Sequence, residues 1–460
     1  MSDVGVIGLG IMGKNLILNL VDRGYTVHVF NRTISKTAEI EKISSKILGF
    51  DNLNAFVSSL RSPRKILLIV SAGSPVEEYL RRLSELLNEN DIVIDCGNSN
   101  YKDTIRRFHQ YKFNFVGCGM SGGEQGARYG PSLMIGCKKD AYGQVRSILE
   151  SISAKHNSNP CCKWLGNDGA GHFVKIVHNG IEYCEMQLLQ ELLNISPSHE
   201  FSLRIFESLH VGRCNGYLVE ICEKILRTRN DSGIVLYQIN DRAEQKGTGK
   251  MCVVAGVETD FDVSFIAQAV FSRYLSNAKD KRVKFNSKVK NMSCHKIIDQ
   301  SKFSTATENR DVVDIDVFEK AFYLAKALCY IQGANLLMNS KLVHGWNYTI
   351  SDICDVWRNG CILRCEFLDV LREISKNDIF EISDGFLAIL DECLPSLKQL
   401  CLFCLENNVY SPLFNNCLTW LYGMNMKAGN GTLLQAMRDY FGGHGVVLIN
   451  GEEVNIDWNE

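Results

Sequence analysis

VGVIGLGIMGKNLILNLVDRGYTVHVFNRT, residues 4–33, begins with a short aliphatic run, Val4–Ile7, and turns through Gly8, Gly10 and Gly13 into apolar residues at helical spacing. The helical pattern runs from Ile11 to Val21 and closes at Gly24, a residue that helix C-caps favour. Thr26–Phe30 then reads as a second strand. Strand, helix, strand over about 30 residues is the unit of a parallel, doubly wound sheet. A GxGxxG turn between the first strand and the helix lets the backbone approach a pyrophosphate, which rests on the positive helix end. At the end of the second strand an NAD site carries an acid, but this chain has Asn31, Arg32 and Thr33. A carboxylate would repel a 2′-phosphate, whereas Arg32 can clamp one while Asn31 and Thr33 donate to it. The turn therefore predicts NADP.

Working outward, Lys65–Val70, Asp91–Asp95 and Phe113–Gly117 read as further strands, and the alternation continues to about Asn167. This predicts a Rossmann-type doubly wound α/β domain over residues 1–168. Past Gly169-Ala-Gly171 long helical patterns take over, which predicts a large all-α domain over 169–425 and a short C-terminal tail over 426–460.

Composition sets outer bounds. The 460 residues are 45% hydrophobic and 22% charged, and 50 Lys+Arg against 52 Asp+Glu leave a net charge of −2. No global field is available to hold nucleic acid or an anionic membrane, so neither partner is expected. The longest apolar runs, such as Ile66–Val70, fall far short of the roughly 18 residues a membrane span needs. Asp3 and the absence of a basic leader argue against a signal peptide. The 18 Cys are diluted along the chain, several inside apolar segments such as those of Cys96 and Cys329. They read as free, buried thiols in a reducing compartment, and a cytoplasmic location is expected. No HExxH or paired CxxC is present, Cys401 and Cys404 form a lone CxxC, and no metal is expected.

The most informative stretch is His172-Phe-Val-Lys175-Ile-Val-His178-Asn179-Gly-Ile-Glu182-Tyr183. Lys175, His178, Asn179, Glu182 and Tyr183 fall at i, i+3, i+4, i+7 and i+8, one face of a helix. Their neighbours Ile176, Val177, Ile181, Cys184 and Met186 are apolar, so the helix reads as buried and the stripe faces something polar rather than solvent. A lysine and a glutamate two turns apart can act as base and acid on one substrate, provided that the lysine is desolvated.

These residues carry a resemblance. IGLGIMGKNLILN, FNRTISK, DCGNSNYKDT, SGGEQGARYGPSLM, GAGHFVKIVHNGIEY, EQKGTGK, AVFSRYLS, WRNGCILR and RDYFGGHG occur in the order found in the 6-phosphogluconate dehydrogenase family, over nearly the whole chain. The resemblance implies a decarboxylating, NADP-dependent enzyme of the pentose phosphate pathway that acts on 6-phosphogluconate. It implies Lys175 as the base at the 3-hydroxyl, Glu182 as the acid that protonates C1 of the enediol, and His178 and Asn179 as orienting groups. Substrate contacts are implied at Ser121, Gly122, Gly123 and Asn98. The phosphate is implied to meet Tyr183, Lys246, Thr248 and Arg273, with Arg438 and His444 supplied by the tail of a partner in a homodimer. Cofactor contacts are implied at Gly8, Gly10, Met12, Gly13, Asn31, Arg32, Thr33, Val70, Ser71, Asn98 and Glu124.

Some positions depart from the family pattern. Ser71 stands where a lysine is usual, which implies weaker hold on NADP, and Gly10 replaces an alanine. Residues 194–238 match poorly and look shortened. The flanks VHNGIEY and YIQGANL are alike, as in an internal duplication. Shorter β-hydroxyacid dehydrogenases share the Gly-rich turn and a lysine but lack QKGTGK and RDYFG. A catalytically silent nucleotide-binding protein would be expected to have lost Lys175, Glu182 or the phosphate set, and all are present.

Overall fold

A computed structural model describes residues 3–289, 314–377 and 379–458. Strands β1 (Val4–Ile7), β2 (Val27–Phe30), β3 (Ile47–Phe50), β4 (Lys65–Leu68) and β5 (Ile92–Asp95) alternate with helices α1 (Ile11–Asp22), α2 (Ile34–Glu41), α3 (Leu53–Ser59) and α4 (Ser74–Ser84). Then come α5 (Tyr101–Gln110), β6 (Asn114–Ser121), α6 (Gly123–Tyr129), β7 (Ser132–Gly136) and α7 (Lys139–Ile152). A hairpin of β8 (Lys155–His156) and β9 (Asn159–Pro160) leads to β10 (Cys162–Gly166). One eight-stranded sheet has the order β10-β7-β6-β5-β4-β1-β2-β3. β1, β2, β5 and β7 are buried at every position, as strands covered by helices on both faces must be.

The doubly wound reading holds, with additions. β3, β7 and β10 lie beyond the strands that the sequence pattern predicts, and β6 runs on past Gly117 to Ser121. β7 pairs antiparallel with β6, whereas the other neighbouring pairs in the sheet are parallel. The reason is length: only the seven-residue α6 and its flanks join β6 to β7, and a parallel crossover needs about a dozen residues or more. Strand order reverses between β1 and β4, which opens a crevice at the carboxyl ends of the strands.

Beyond the sheet the chain is helical. α8 (Ala170–Ile195), α9 (His199–Val211) and α10 (Tyr217–Arg227) are followed by a small hairpin, β11 (Arg229–Asn230) and β12 (Gly233–Ile234). Among the described residues, the segment expected to be all-helical therefore holds one short hairpin, and residues 194–238 are folded. Next come α11 (Thr248–Glu258), α12 (Ser264–Asn277), α13 (Lys279–Lys288) and the 30-residue α14 (Ile315–His344). α15 (Ile350–Trp357), α16 (Phe367–Ile374), α17 (Asp384–Glu406) and α18 (Pro412–Met424) complete the bundle. α8 and α14, which carry the two similar flanks, pack together at the centre of one large apolar cluster, and α17 and α18 lie against them. The tail is more ordered than its sequence suggests: α19 (Thr432–Gly442) is followed by a hairpin of β13 (Val446–Val447) and β14 (Glu453–Val454).

The cysteines among the described residues are free, and all but Cys222 are buried. Among those residues no helix is long and apolar enough to cross a membrane.

Candidate active site

The Gly-rich turn joins β1 to α1 at the crevice. Gly8 has φ +104°, and a Cβ there would stand 2.2 Å from the Ile69 carbonyl oxygen. A Cβ on Gly13 would stand 2.0 Å from the Gly8 carbonyl oxygen, so α1 can begin this close to the strand only with glycine. Gly10, by contrast, faces open space, where an alanine would also fit. α1 has no side-chain cap and no acid in its first turn, which leaves its N-terminal amides and positive end to an anion. Asn31 accepts from the Leu9 amide (3.1 Å) and donates to the Thr33 carbonyl (3.1 Å), tying the end of β2 to the turn. Arg32 is exposed, as are Thr33, Ser71 and Asn98, and Met12 and Val70 are half-buried beside them. Glu124 accepts from Asn15 of α1 (3.4 Å), on the same side of the crevice. These groups fit a dinucleotide with a 2′-phosphate: a close backbone cradle, a free helix end, and a cation where an acid would exclude it.

Asn98 is presented by a rigid support. Asp95, at the end of β5, accepts from the Gly97 amide (3.0 Å), the Ser99 hydroxyl (2.6 Å) and Arg107 (3.2 Å). Arg107 is fully buried and also donates to Ser99 (3.1 Å) and, with two nitrogens, to Glu77 (3.0 and 2.8 Å).

The polar stripe of α8 lies on β6. A Cβ on Gly119 would come within 2.6 Å of Lys175 Cβ, so the glycine lets the helix seat its lysine directly against the strand. Lys175, His178 and Asn179 are buried, at 7%, 0% and 8% exposure, and they contact one another. Lys175 Nζ donates to Asn179 Oδ1 (2.8 Å) and lies 3.4 Å from His178 Nδ1. His178 Nδ1 is 3.1 Å from Asn179 Oδ1 and 3.7 Å from a Glu182 carboxylate oxygen, and its Nε2 is 3.2 Å from the Ser121 hydroxyl. Ser121 ends β6, and Gly122 and Gly123, both with positive φ, carry the chain into α6. The WRNG turn closes the other side: Trp357 meets His178 edge to face at 5.5 Å, and the Gly360 carbonyl packs on Gly122.

Burial sets the electrostatics. It pulls the Lys175 amine below the ordinary lysine range, and the nearby Glu182 carboxylate opposes this only in part. Burial likewise pushes the Glu182 carboxyl upward, against Lys175 and Arg273. His178 is driven well down by burial and then by the Lys175 charge. A neutral amine and a neutral carboxyl on one helix are the forms that a proton acceptor and a proton donor need.

One turn further along, Tyr183 meets the cations. The Arg273 guanidinium stacks 3.5 Å over its ring and donates to the Glu244 carbonyl (3.3 Å). α11 starts alongside, where a Cβ on Gly249 would lie 2.6 Å from the Tyr183 ring. Thr248, its first residue, is buried, and Lys246 is exposed just before it. Tyr183, Arg273, Lys246 and Thr248 thus gather at one end of the stripe. Arg438 and His444 do not join them within the single chain. Arg438 donates to Gln435 (3.1 Å), His444 folds over Gly442, and both are exposed.

The sequence pattern missed the supports. Asp95 was legible only as a strand end, and nothing local singled out Arg107. Beneath the stripe, Lys326 of α14 donates to Glu185 (2.8 Å) and Tyr330 donates to the same carboxylate (3.0 Å), all buried. The signal for that pair was two charged residues inside apolar helices.

Two family models divide the chain between them. Residues 3–166 match the NAD binding domain of 6-phosphogluconate dehydrogenase, and residues 171–458 match the 6-phosphogluconate dehydrogenase C-terminal domain. The decarboxylating 6-phosphogluconate dehydrogenase of Mus musculus is 38% identical over 476 residues, covering 99% of this chain and 96% of the relative. That of Homo sapiens is 37% identical with the same coverage. Among solved structures, the Plasmodium falciparum 6-phosphogluconate dehydrogenase superposes with a TM-score of 0.90 at 31% identity, covering 99% of this chain and 100% of that one. That protein was solved in its apo form, with its cofactor NADP+ and with its substrate 6-phosphogluconate.

Proposed function

The chain belongs to the 6-phosphogluconate dehydrogenase family, and from that membership we propose that it converts 6-phosphogluconate to ribulose 5-phosphate and carbon dioxide while reducing NADP. The observation that carries the reading is the buried Lys175–His178–Asn179 cluster against Ser121 with the half-buried Glu182 beside it, where desolvation favours both the neutral amine and the neutral carboxyl. Residues 1–168 serve as the NADP-binding domain, 169–425 as the substrate and dimerisation domain, and 426–460 as a tail.

NADP, when bound, supplies the acceptor for the two electrons and hydrogen that leave C3. Lys175 takes the proton of the 3-hydroxyl in that step. It returns the proton to the 3-keto oxygen as the C1–C2 bond breaks, so the electrons freed with carbon dioxide form an enediol instead of a bare carbanion. Glu182 then protonates the carbon that lost the carboxylate, and Lys175 removes the adjacent hydroxyl proton to give the ketone. Across the turnover one proton has passed from Glu182 to Lys175. His178, 3.4 Å from the amine and 3.7 Å from the carboxylate, is the group that can carry it back. Ser121, Gly122, Gly123 and Asn98 hold the acid end of the substrate.

Lys246, Thr248, Tyr183 and Arg273 hold the phosphate, and Arg438 and His444 reach it from the tail of a second copy. The support for a homodimer lies in α19. Its Leu433, Leu434, Met437, Tyr440 and Phe441 are all exposed, as are Phe271, Tyr274 and Leu275 of α12. Apolar faces of this extent on helices that also carry phosphate-binding cations fit burial against another copy.

Mixing the protein with 6-phosphogluconate and NADP+ or NAD+ tests the function. Reduced cofactor and carbon dioxide are expected in equal amounts with NADP+. Reduction without carbon dioxide would rule out the decarboxylating assignment, and no reduction with either cofactor would rule out the enzyme. Arg32→Ser is expected to raise KM for NADP+ by about thirtyfold, the effect of losing one hydrogen-bonded charge contact, with little change for NAD+. Equal losses with both cofactors would detach Arg32 from the 2′-phosphate.

The pH profile carries a separate expectation. Activity needs Lys175 neutral, which falling pH opposes, and Glu182 protonated, which rising pH opposes. A bell-shaped kcat/KM is expected, and Glu182→Gln should abolish one limb. A variant that keeps both limbs would remove Glu182 from the proton transfers.

A further inference from the structure

α19 contains one buried residue, and it is a carboxylate. Asp439 is 4% exposed in a helix whose large apolar side chains are all exposed. Its Oδ1 accepts from the Gly445 amide (2.7 Å), and its Oδ2 accepts from the Ile456 amide (3.1 Å) and from Trp458 Nε1 (2.9 Å). Its own carbonyl accepts from the Gly443 amide (2.8 Å). One side chain therefore ties together the end of the helix, the GGHG loop and the segment after β14. The amide of Ile456 and then the other donors hold the carboxyl below its usual range, with His444 adding to the effect.

The two cations flank this knot. Arg438 precedes Asp439 in the helix, and His444 sits in the loop whose Gly445 amide Asp439 holds. The His444 ring folds back on Gly442 so closely that a Cβ there would lie 2.7 Å from it, and Gln435 secures the loop through the Gly445 carbonyl (2.7 Å). No described residue of the tail belongs to an apolar core that could fix this loop. Three N–H donors converge on two oxygens, and only a carboxylate offers acceptors on both; an amide would turn its own N–H toward a donor.

We propose that Asp439 is the positioning residue of the tail, organising helix, loop and terminal segment so that Arg438 and His444 are held ready for the substrate phosphate in the partner's site. The proposal rests on the reading above in which the tail serves the second copy. It makes affinity for the phosphate end of the substrate depend on a carboxylate that never touches substrate.

The full-length dimer carrying Asp439→Asn is expected to show KM for 6-phosphogluconate raised about tenfold, as for a contact weakened by about 1.4 kcal/mol, with kcat and KM for NADP+ nearly unchanged. A general loss of folding would instead lower kcat and both affinities together, and such a result overturns the proposal. Mixed dimers separate it from the tail reading. Lys175→Met subunits combined with Asp439→Asn subunits place the intact lysine opposite an intact tail, and wild-type KM should return. The same pairing with Arg438→Ala should also recover activity. An unchanged KM in Asp439→Asn beside a raised KM in Arg438→Ala overturns the positioning role and leaves the tail reading standing. Failure of both pairings to complement overturns the tail reading, and with it the partner's site as the place served. If Asp439→Asn does not assemble, Trp458→Phe removes one donor alone. A smaller rise of the same kind is expected there, and an unchanged KM counts against the proposal.

Discussion

Lys175→Met is expected to lower kcat by about a thousandfold while 6-phosphogluconate still binds within a few-fold of its normal affinity, since a positioned acid–base group contributes roughly 10²–10⁴ in rate. Methionine matches the length of the lysine stem and suits its surroundings. The stem lies against the backbone of β6 at Gly119, and only the amine makes polar contacts, with Asn179 and His178. The substitution therefore removes the proton acceptor without opening a cavity. The Ser121 contact to His178 and the cations around Tyr183 stay in place to hold substrate. Single-turnover reduction of NADP+, together with direct titration of substrate binding, checks both halves. A variant with near-normal kcat would move the base elsewhere. One that loses binding as severely as turnover would make Lys175 a substrate anchor.

The largest effect on stability is expected from Lys326→Met. Lys326 and Glu185 are paired with side chains 0% and 3% exposed, deep between α8 and α14. Removing the lysine leaves Glu185 charged and buried, with Tyr330 as its remaining donor at 3.0 Å. Breaking such a pair from one side costs about 3–5 kcal/mol, because the surviving charge keeps its desolvation penalty. Replacing both partners should cost far less, so Glu185→Gln with Lys326→Met is expected to recover most of the loss. Denaturant unfolding followed by a probe in the helical bundle measures this. A single variant within about 1 kcal/mol of wild type, or a double variant no better than the single, would mean that the pair does not behave as a buried ion pair.

Local rules made the first β-α-β unit and the α8 stripe legible. Gly8, Gly13, Arg32 and the i, i+3, i+4, i+7 spacing each express one nearby constraint: a close approach, a charge choice or a single helix face. β7 and β10 escaped because their identity is not local. β7 is a strand through antiparallel pairing with β6, imposed by a short connection, and β10 is a strand through pairing with β7. The same limit hid Glu185 and Lys326, which lie 141 positions apart. The order within the tail was hidden for a related reason. Among its described residues the tail has a helix and a hairpin but no apolar core, and what organises it is a carboxylate whose partners are 6, 17 and 19 residues away.

The seat of Lys175 on Gly119 bears on how this protein can move. The base and the Ser121 loop share one footing, since α8 is laid on the strand that ends in that serine. A hinge motion that opens the crevice for substrate would carry amine, imidazole and hydroxyl as a single body. Arg273, stacked on Tyr183 of α8, would travel with them, so in the proposed dimer what such a motion can change is the reach of the tail cations. Breathing of the molecule would then tune how long the phosphate stays, while the alignment for proton transfer stays constant from one opening to the next.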